Sequence, residues 1–480
     1  MHSSATRVVL FTGILAASVA LAAEPRETRI PYAALANVVQ LREHASQDKT
    51  AWRLVESLTT EVGPRLAGSE ADARAVRWAE AEFKALGYDK VWLQPVSFPK
   101  WVRRSERGDV VGAYAQPLTL TALGGSPGGT VEAEVARFAD LAALEAVPAG
   151  ALAGRIAFVD YRMTRARDGS GYGPGNRVRS RGPSAAIRAG ALAFVMRSAG
   201  TDSHRNPHTG ITRFDDGLTP IPSAALSVPD AEQLSRLVAL GQPVRLRIAL
   251  DCGWYGTADS FNVIGEITGR DRKLRGEVVM IGGHLDSWDL GTGAVDDGAG
   301  VAITMGAGHL IGRLPRAKRP PRTIRVIAFA NEEQGLYGAK AYAAQYKANV
   351  AQHQVVAESD FGAGRVYAFN TSAAPHAQAA VAQIAEALKP LGIETMAQGG
   401  PGPDVGPIAA EGAVWAWLGQ DGTDYFDLHH TPDDTLDKID PAALAQNTAA
   451  YAVFAYLAAS ADGGFGSAPK AAEHAAAAKR

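Results

Sequence analysis

The stretch GGHLDSWDLGTGAVDDGAG, residues 282 to 300, sets His284, Asp286, Asp289, Asp296 and Asp297 among glycines and other small residues. The apolar run Val278-Val279-Met280-Ile281 precedes it, and a second apolar run begins at Val301. Carboxylates next to a buried strand cost several kcal/mol each unless they are paired or metal-bound. Two readings follow: a solvated loop with an Asp cap on the next helix, or a metal site. Further donors recur downstream, at Glu332-Glu333, at Asp360 and in LHHTPDDT around His430. His284 and Asp360 could hold one divalent ion, and Glu333 and His430 a second, with Asp296 bridging. Without metal, two carboxylates ~4 Å apart repel by roughly 4 kcal/mol at an effective dielectric of about 20. Oxygen and nitrogen ligands without sulfur suit zinc, and also manganese or cobalt. Two ions about 3.5–4 Å apart can share a water, lower its pKa toward ~7 and polarise a carbonyl. Strand-like alternation turns Glu332 away from Glu333, so one coordinates while the other takes a proton from the water. Asp286 is placed to hold the His284 imidazole, and Asp297 to cap the next helix or fix the turn that presents Asp296.

The elements that must position these groups come next. After Ser260 the chain alternates strand and helix. Strands are expected at Asn262–Ile267, Glu277–Ile281, Thr323–Phe329, Val355–Ser359 and Ala413–Leu418. Helices are expected at Gly298–Leu314, Gly335–Tyr346, Pro375–Leu388 and Pro441–Ala458. This pattern predicts an α/β fold, an open mixed central sheet with helices on both faces. Four strand ends each deliver His or carboxylate to the edge where such sheets bind ligands. Residues 30 to 86 read as largely helical, ended by Gly87, with a strand from Lys90 to Val96. From about Asp109 to Leu250 the texture becomes short β-like runs punctuated by Gly and Pro, which reads as an inserted β-rich domain. Its segment DGSGYGPGNRVRSR, 168 to 181, reads as a mobile surface loop, with a substrate-covering flap as the alternative.

Composition narrows the function classes. The chain has 480 residues, 46% hydrophobic and 20% charged, with a formal net charge of −2. That length predicts two or more domains. The charge favours neither nucleic acid nor an anionic membrane, and no basic stripe appears. Cys252 is the only cysteine, so no intrachain disulfide and no thiolate cluster can form. Arg7, the apolar run Val8 to Ala20 and Ala20-Leu21-Ala22 read as a cleavable signal peptide, which implies a secreted or periplasmic protein. No later run is long and apolar enough to span a bilayer. The expected divisions are a signal at 1–23, two segments of the site-bearing domain at 24–108 and 254–462, the insert at 109–253, and a disordered tail at 463–480.

The segments GGHLDS, VDDGAG, NEEQGLYGA, ESDFGAG and HHTPDDT, in that order, resemble the five signatures of the di-zinc exopeptidases, which include bacterial aminopeptidases and glutamate carboxypeptidases. GPRLAGS at 63–69, SHRNPHTGITRFDDG at 203–217 and GHLDSWDLGTGAVDDG at 283–298 extend the resemblance to the carboxypeptidase Q branch, also called plasma glutamate carboxypeptidase. The resemblance implies two zinc ions, with cobalt or manganese as substitutes, held by His284, Asp296, Glu333, Asp360 and His430. It implies Glu332 as general base, Asp286 behind His284, a protease-associated-like insert and a homodimer. His430 is preferred over His429 because it directly precedes the Thr-containing turn. Tyr425 is a candidate oxyanion donor, against a core tyrosine. His208 is a candidate substrate contact, against a structural polar contact. The implied activity is hydrolysis of unblocked dipeptides; the alternative is an aminopeptidase acting on longer peptides. A non-catalytic receptor role is disfavoured because every ligand and the base are present, and His284 argues against a single-zinc cyclase.

Overall fold

The computed structural model describes residues 26–468. The expected signal peptide lies outside the described residues, as do residues 469–480.

The site-bearing half is a mixed α/β layer. Its strands run in the order Glu394–Thr395, Val366–Thr371, Trp415–Gln420, His353–Glu358, Val278–His284, Thr323–Phe329, Arg245–Ile267 and Lys90–Val111. Val278–His284 lies parallel to both His353–Glu358 and Thr323–Phe329, with His284 level with Phe329. Its residues are apolar on both faces because both are covered. Val279 and Ile281 pack with the helices Ala299–Gly312 and Pro441–Ser460 on one face. Val278 and Met280 pack with the helix Tyr337–Tyr346 on the other. The open mixed sheet with helices on both faces is thus present.

Two long strands join this half to a second one. Lys90–Val111 and Arg245–Ile267 pair antiparallel along nearly their whole length, with register shifts only between Pro99 and Trp101 and between Arg103 and Ser105. The far end of Arg245–Ile267 pairs with Gly129–Phe138. The order then continues through Arg155–Val159, Ala193–Arg197, Ser223–Leu226 and Leu120–Ala122. This second lobe has its own apolar clusters, around Leu246, Ile248 and Phe158 on one side and Val159, Phe194 and Ala186 on the other.

Three expectations change. Most of the segment 168–181 is not a mobile loop but the start of a helix, Tyr172–Arg188. Its buried residues are Gly175, Val178, Arg179, Gly182, Pro183, Ser184, Ala185 and Ala186, so the helical period carries almost no large apolar residue to reveal it. Gly182 is seated where a Cβ would overlap the Phe194 ring. The strand expected at Asn262–Ile267 is the end of one strand of 23 residues, Arg245–Ile267. The expected disordered tail starts too early: Phe465 is buried in the main core, and Ala468 N–H donates to Gly412 O at 3.0 Å.

Candidate active site

Each site residue follows from a strand end. His284 is the last residue of Val278–His284. Glu332 and Glu333 lie in the loop after Thr323–Phe329, and Asp360 lies just after His353–Glu358. Tyr425, His429 and His430 follow Trp415–Gln420, and Asp296 sits in the turn that opens the helix Ala299–Gly312.

These loops converge on Asp296, which has a carboxylate oxygen on either side. Its Oδ1 lies 3.1 Å from His284 Nε2, which is in turn 3.6 Å from Asp360 Oδ1. Its Oδ2 lies 3.2 Å from His430 Nε2, which is in turn 2.8 Å from Glu333 Oε2. The structure therefore brings together all five residues expected as ligands, as two groups that share Asp296.

Both imidazoles are oriented from behind. His284 Nδ1 lies 3.0 Å from the Asp286 carbonyl oxygen, and His430 Nδ1 lies 3.3 Å from the Thr209 carbonyl oxygen. A carbonyl accepts only, so each Nδ1 carries the proton and each Nε2 lone pair faces carboxylates. That arrangement is repulsive unless a cation lies between or the ring takes a second proton. Burial works to lower the His284 pKa, but the bonds from Asp296 and Asp360 carry it well above 6.5. His430 rises to about 9 against burial, through Glu333 and Asp296. Burial acts to raise Asp296, yet the imidazoles of His429, His284 and His430 hold it well below the carboxylate range. Asp296 Oδ2 and Glu333 Oε1 are buried without a hydrogen-bond partner. Orphaned buried acids facing bare imidazole nitrogens fit divalent cations.

The supporting residues differ in part from expectation. The Asp286 carboxylate stands 3.7 Å from His284 Nδ1, whereas its Oδ1 accepts from the Glu332 N–H at 3.0 Å. It is Asp286's main-chain carbonyl that meets the imidazole. Asp297 accepts from the N–H groups of His284 and Gly300, at 3.0 and 3.1 Å, so it ties the strand end to the first turn of the helix. Asp434 accepts from the Val295 and Asp296 N–H groups, at 2.6 and 3.2 Å. Arg65 is fully buried; it donates to the carbonyls of Leu285, Thr292 and Gly293 and so clamps both ends of the loop between His284 and Asp296. Sequence reading assigned a role to neither Asp434 nor Arg65, although Arg65 stands in the quoted GPRLAGS.

The second lobe closes one side of the site. A cavity of about 350 Å³ is lined by Asp296, Glu332, Glu333 and Asp360 on one wall and by Tyr172, Arg179 and Arg213 on the other. Tyr425, Phe426 and His429 also line it. Thr209 N–H donates to the His430 carbonyl at 3.0 Å, so the segment 208–210 docks on the His429-His430 turn. Gly210 has φ +129° there, and a Cβ would overlap Arg179 and lie 2.8 Å from His430 Nδ1. His208 is buried behind His429, with Nε2 at 2.9 Å from His429 Nδ1, and does not line the cavity. Burial pushes the His208 and His429 imidazoles well below 6.5.

Comparison with known proteins bears on this geometry. Residues 262–455 match the model of Peptidase family M28. Carboxypeptidase Q from Bos taurus is 32% identical over 424 residues, covering 88% of this chain and 88% of the bovine protein. The Homo sapiens carboxypeptidase Q is 32% identical over 420 residues, covering 88% and 87%. A Peptidase M28 precursor from Shewanella amazonensis SB2B superposes with TM-score 0.87 at 44% identity, over 91% of this chain and 99% of that one. A zinc aminopeptidase from Bacillus subtilis shares the fold at TM-score 0.60 and 21% identity, over 85% and 94%. Kinship along most of the length thus meets a donor set of the right chemistry, and the chain belongs to peptidase family M28 as a metallopeptidase.

Proposed function

We propose that this enzyme hydrolyses unblocked dipeptides, holds two zinc ions and works outside the cytoplasm as a secreted or periplasmic protein. His284 and Asp360 would hold one ion, Glu333 and His430 the other, with Asp296 between them. Bound zinc would polarise the scissile carbonyl and acidify water. Burial pushes the Glu332 carboxyl well above 4.5, which makes its carboxylate a stronger base. Its backbone N–H is tied to Asp286, so the side chain is delivered to the cavity from a fixed main chain. The Glu332 carboxylate takes a proton from water and returns it to the leaving amine nitrogen.

The observation that supports a dipeptide is the wall opposite the acids. Arg179 is buried, donates to the neutral Tyr172 hydroxyl, Thr209 carbonyl and Asn176 amide oxygen, stands 3.5 Å from His430 Nδ1, pairs with no carboxylate, and leaves Nε without a partner. A guanidinium so placed suits a free α-carboxylate, and the acidic wall suits a free amine. The cavity volume is at the small end of ligand pockets, which run from about 300 to 1,000 Å³.

The test is amino-acid release by zinc-loaded enzyme from alanyl-leucine, its N-acetyl form, its C-terminal amide and tetra-alanine. Cleavage of the free dipeptide alone is expected. Stepwise trimming of tetra-alanine would replace the reading with an aminopeptidase.

A further inference from the structure

The formal net charge of −2 conceals one strongly charged end of the molecule. Two basic runs, RDRKLR at 270–275 and RLPRAKRPPR at 313–322, lie far apart in sequence, and neither alone makes a basic stripe. The fold lays them side by side. Arg270 N–H donates to the Pro320 carbonyl at 3.0 Å, Asp271 N–H to the Pro321 carbonyl at 3.3 Å, and Thr323 Oγ1 to the Arg275 carbonyl at 2.8 Å. Arg270, Arg272, Lys273 and Arg275 of the first run are exposed, as are Arg313, Arg316 and Lys318 of the second.

The acids that could neutralise this face are engaged elsewhere. Glu277 pairs with Arg322 at 2.6 Å, and Asp89 with Arg319 at 2.9 Å. Asp271 accepts from the Lys273 and Leu274 N–H groups, at 2.7 and 3.3 Å, inside its own turn. Among the described residues, none of the exposed cations of the two runs is paired with a carboxylate. A helix C-terminus accounts for Arg313, which follows Ala299–Gly312, but not for Arg272, Lys273 and Arg275. These three line a recess of about 550 Å³ with Lys90 and Thr268, and clustered cations of this kind suit phosphate oxygens.

An apolar helix face adjoins the charges. Asn37, on the helix Tyr32–Ala45, donates from Nδ2 to the Tyr456 hydroxyl at 3.2 Å, and that hydroxyl donates to the Lys318 carbonyl at 3.0 Å. The outward side of this helix begins with Tyr32, which is 85% exposed, Ala33, Ala36 and Val39, and turns polar at Gln40 and Glu43. Charge alone suits any polyanion. Charge beside exposed aromatic and aliphatic side chains suits a lipid surface, where apolar groups enter the headgroup boundary and cations meet phosphates.

The position in the fold suits docking too. Glu277 and Arg322 directly precede the strands Val278–His284 and Thr323–Phe329. The charged face therefore lies at the end of the strands opposite His284, about 20 Å away at ~3.3 Å per residue. A surface that covers it leaves the cavity in solution. We propose that this face docks the enzyme on an anionic membrane, with its cations on phospholipid headgroups and Tyr32 and Val39 at the headgroup boundary. Total charge speaks against such a partner, whereas the placement of the charge speaks for it. The inference concerns where the enzyme sits and is independent of which peptide it cleaves.

The test is co-sedimentation of zinc-loaded enzyme with vesicles of phosphatidylcholine, alone or with about 30 mol% phosphatidylglycerol. Binding to the anionic vesicles should be at least about 100-fold tighter, and should weaken at least about tenfold between ~0.05 and ~0.3 M salt. Arg272→Gln, Lys273→Gln and Arg275→Gln combined should weaken it about 100-fold, at roughly fivefold per charge, with turnover of free peptide unchanged. If that variant does not fold, Arg313→Gln, Arg316→Gln and Lys318→Gln combined should give the same loss. Tyr32→Ser with Val39→Ser should weaken binding at least about threefold and leave its salt dependence in place. Equal binding to both kinds of vesicle, binding to neither, or undiminished binding by the charge variants overturns the proposal. So does tighter binding to duplex DNA than to the anionic vesicles at equal phosphate concentration, which would make the face a nucleic-acid site.

Discussion

Glu332 and Asp296 sit in the same cavity, yet their replacement should fail in opposite ways. Glu332→Gln keeps shape and hydrogen-bonding reach but cannot take a proton. It should retain zinc, measured by atomic emission, while kcat falls by about 10²–10⁴-fold. Asp296→Ala removes the carboxylate common to both ligand groups. It should lose both metals after dialysis, and two metals retained in that variant would show that the bridge is misassigned. The five residues that meet around Asp296 were legible in the sequence because His and carboxylate after apolar runs have few structural uses. Arg65 and Asp434 were not, because a charge that holds a backbone has the composition of an ordinary surface residue.

At the scale of elements, the loop from Leu285 to Gly293 is held by a buried guanidinium rather than by its own turns. Arg65→Met would orphan carbonyls at both ends of that loop, each costing about 1–3 kcal/mol. The expected outcome is a lower Tm and zinc affinity weakened by about 10- to 100-fold, read by competition with a chromogenic chelator. A variant with unchanged zinc affinity would reduce Arg65 to a packing residue. The strands that end at the site were readable because both of their faces are buried and the apolar runs are unbroken. The strand Lys90–Val111 could be followed only to Val96. Beyond Trp101 it runs through Arg103, Arg104, Ser105, Glu106 and Arg107, polar residues on a ribbon that has solvent on much of its surface. The first part of the helix Tyr172–Arg188 was missed for a different reason: its buried face there carries glycine, proline, an arginine and a single large apolar residue, Val178.

For the whole molecule, zinc and the second lobe give separable contributions to stability. Zinc held as proposed would bind the folded site and not the unfolded chain, so chelation should lower Tm, and readdition should restore it in a concentration-dependent way. The second lobe is tied by Asp160, whose enclosed carboxylate accepts from Arg197 Nε at 2.6 Å, Arg137 Nε at 2.9 Å and Ser235 Oγ at 2.6 Å. Burial acts to raise its pKa, but the bonds from Ser235 and the two arginines outweigh it and hold it below 3.8. A carboxyl depressed in the folded state adds stability above its unfolded pKa, and that contribution is lost as pH falls through the folded value. Asp160→Asn should therefore cost roughly 3 kcal/mol at pH 7. In urea titrations of metal-free protein, its gap from the unmodified chain should narrow below about pH 4. A gap constant with pH would show that the pair acts through packing alone.

The paired strands Lys90–Val111 and Arg245–Ile267 have a mechanical meaning as well. A two-stranded ribbon bends readily out of plane but resists slippage, because sliding would break every rung of hydrogen bonds at once. The second lobe can tilt over the acids; it cannot shift along them. The gape of the cavity is then an angle, whereas the height of its roof is a length counted in rungs. One extra residue in a single strand would turn the roof's side chains to the wrong face, while two added to both strands would raise it by about 7 Å. How deep a peptide can reach is, in this molecule, a number written into strand register.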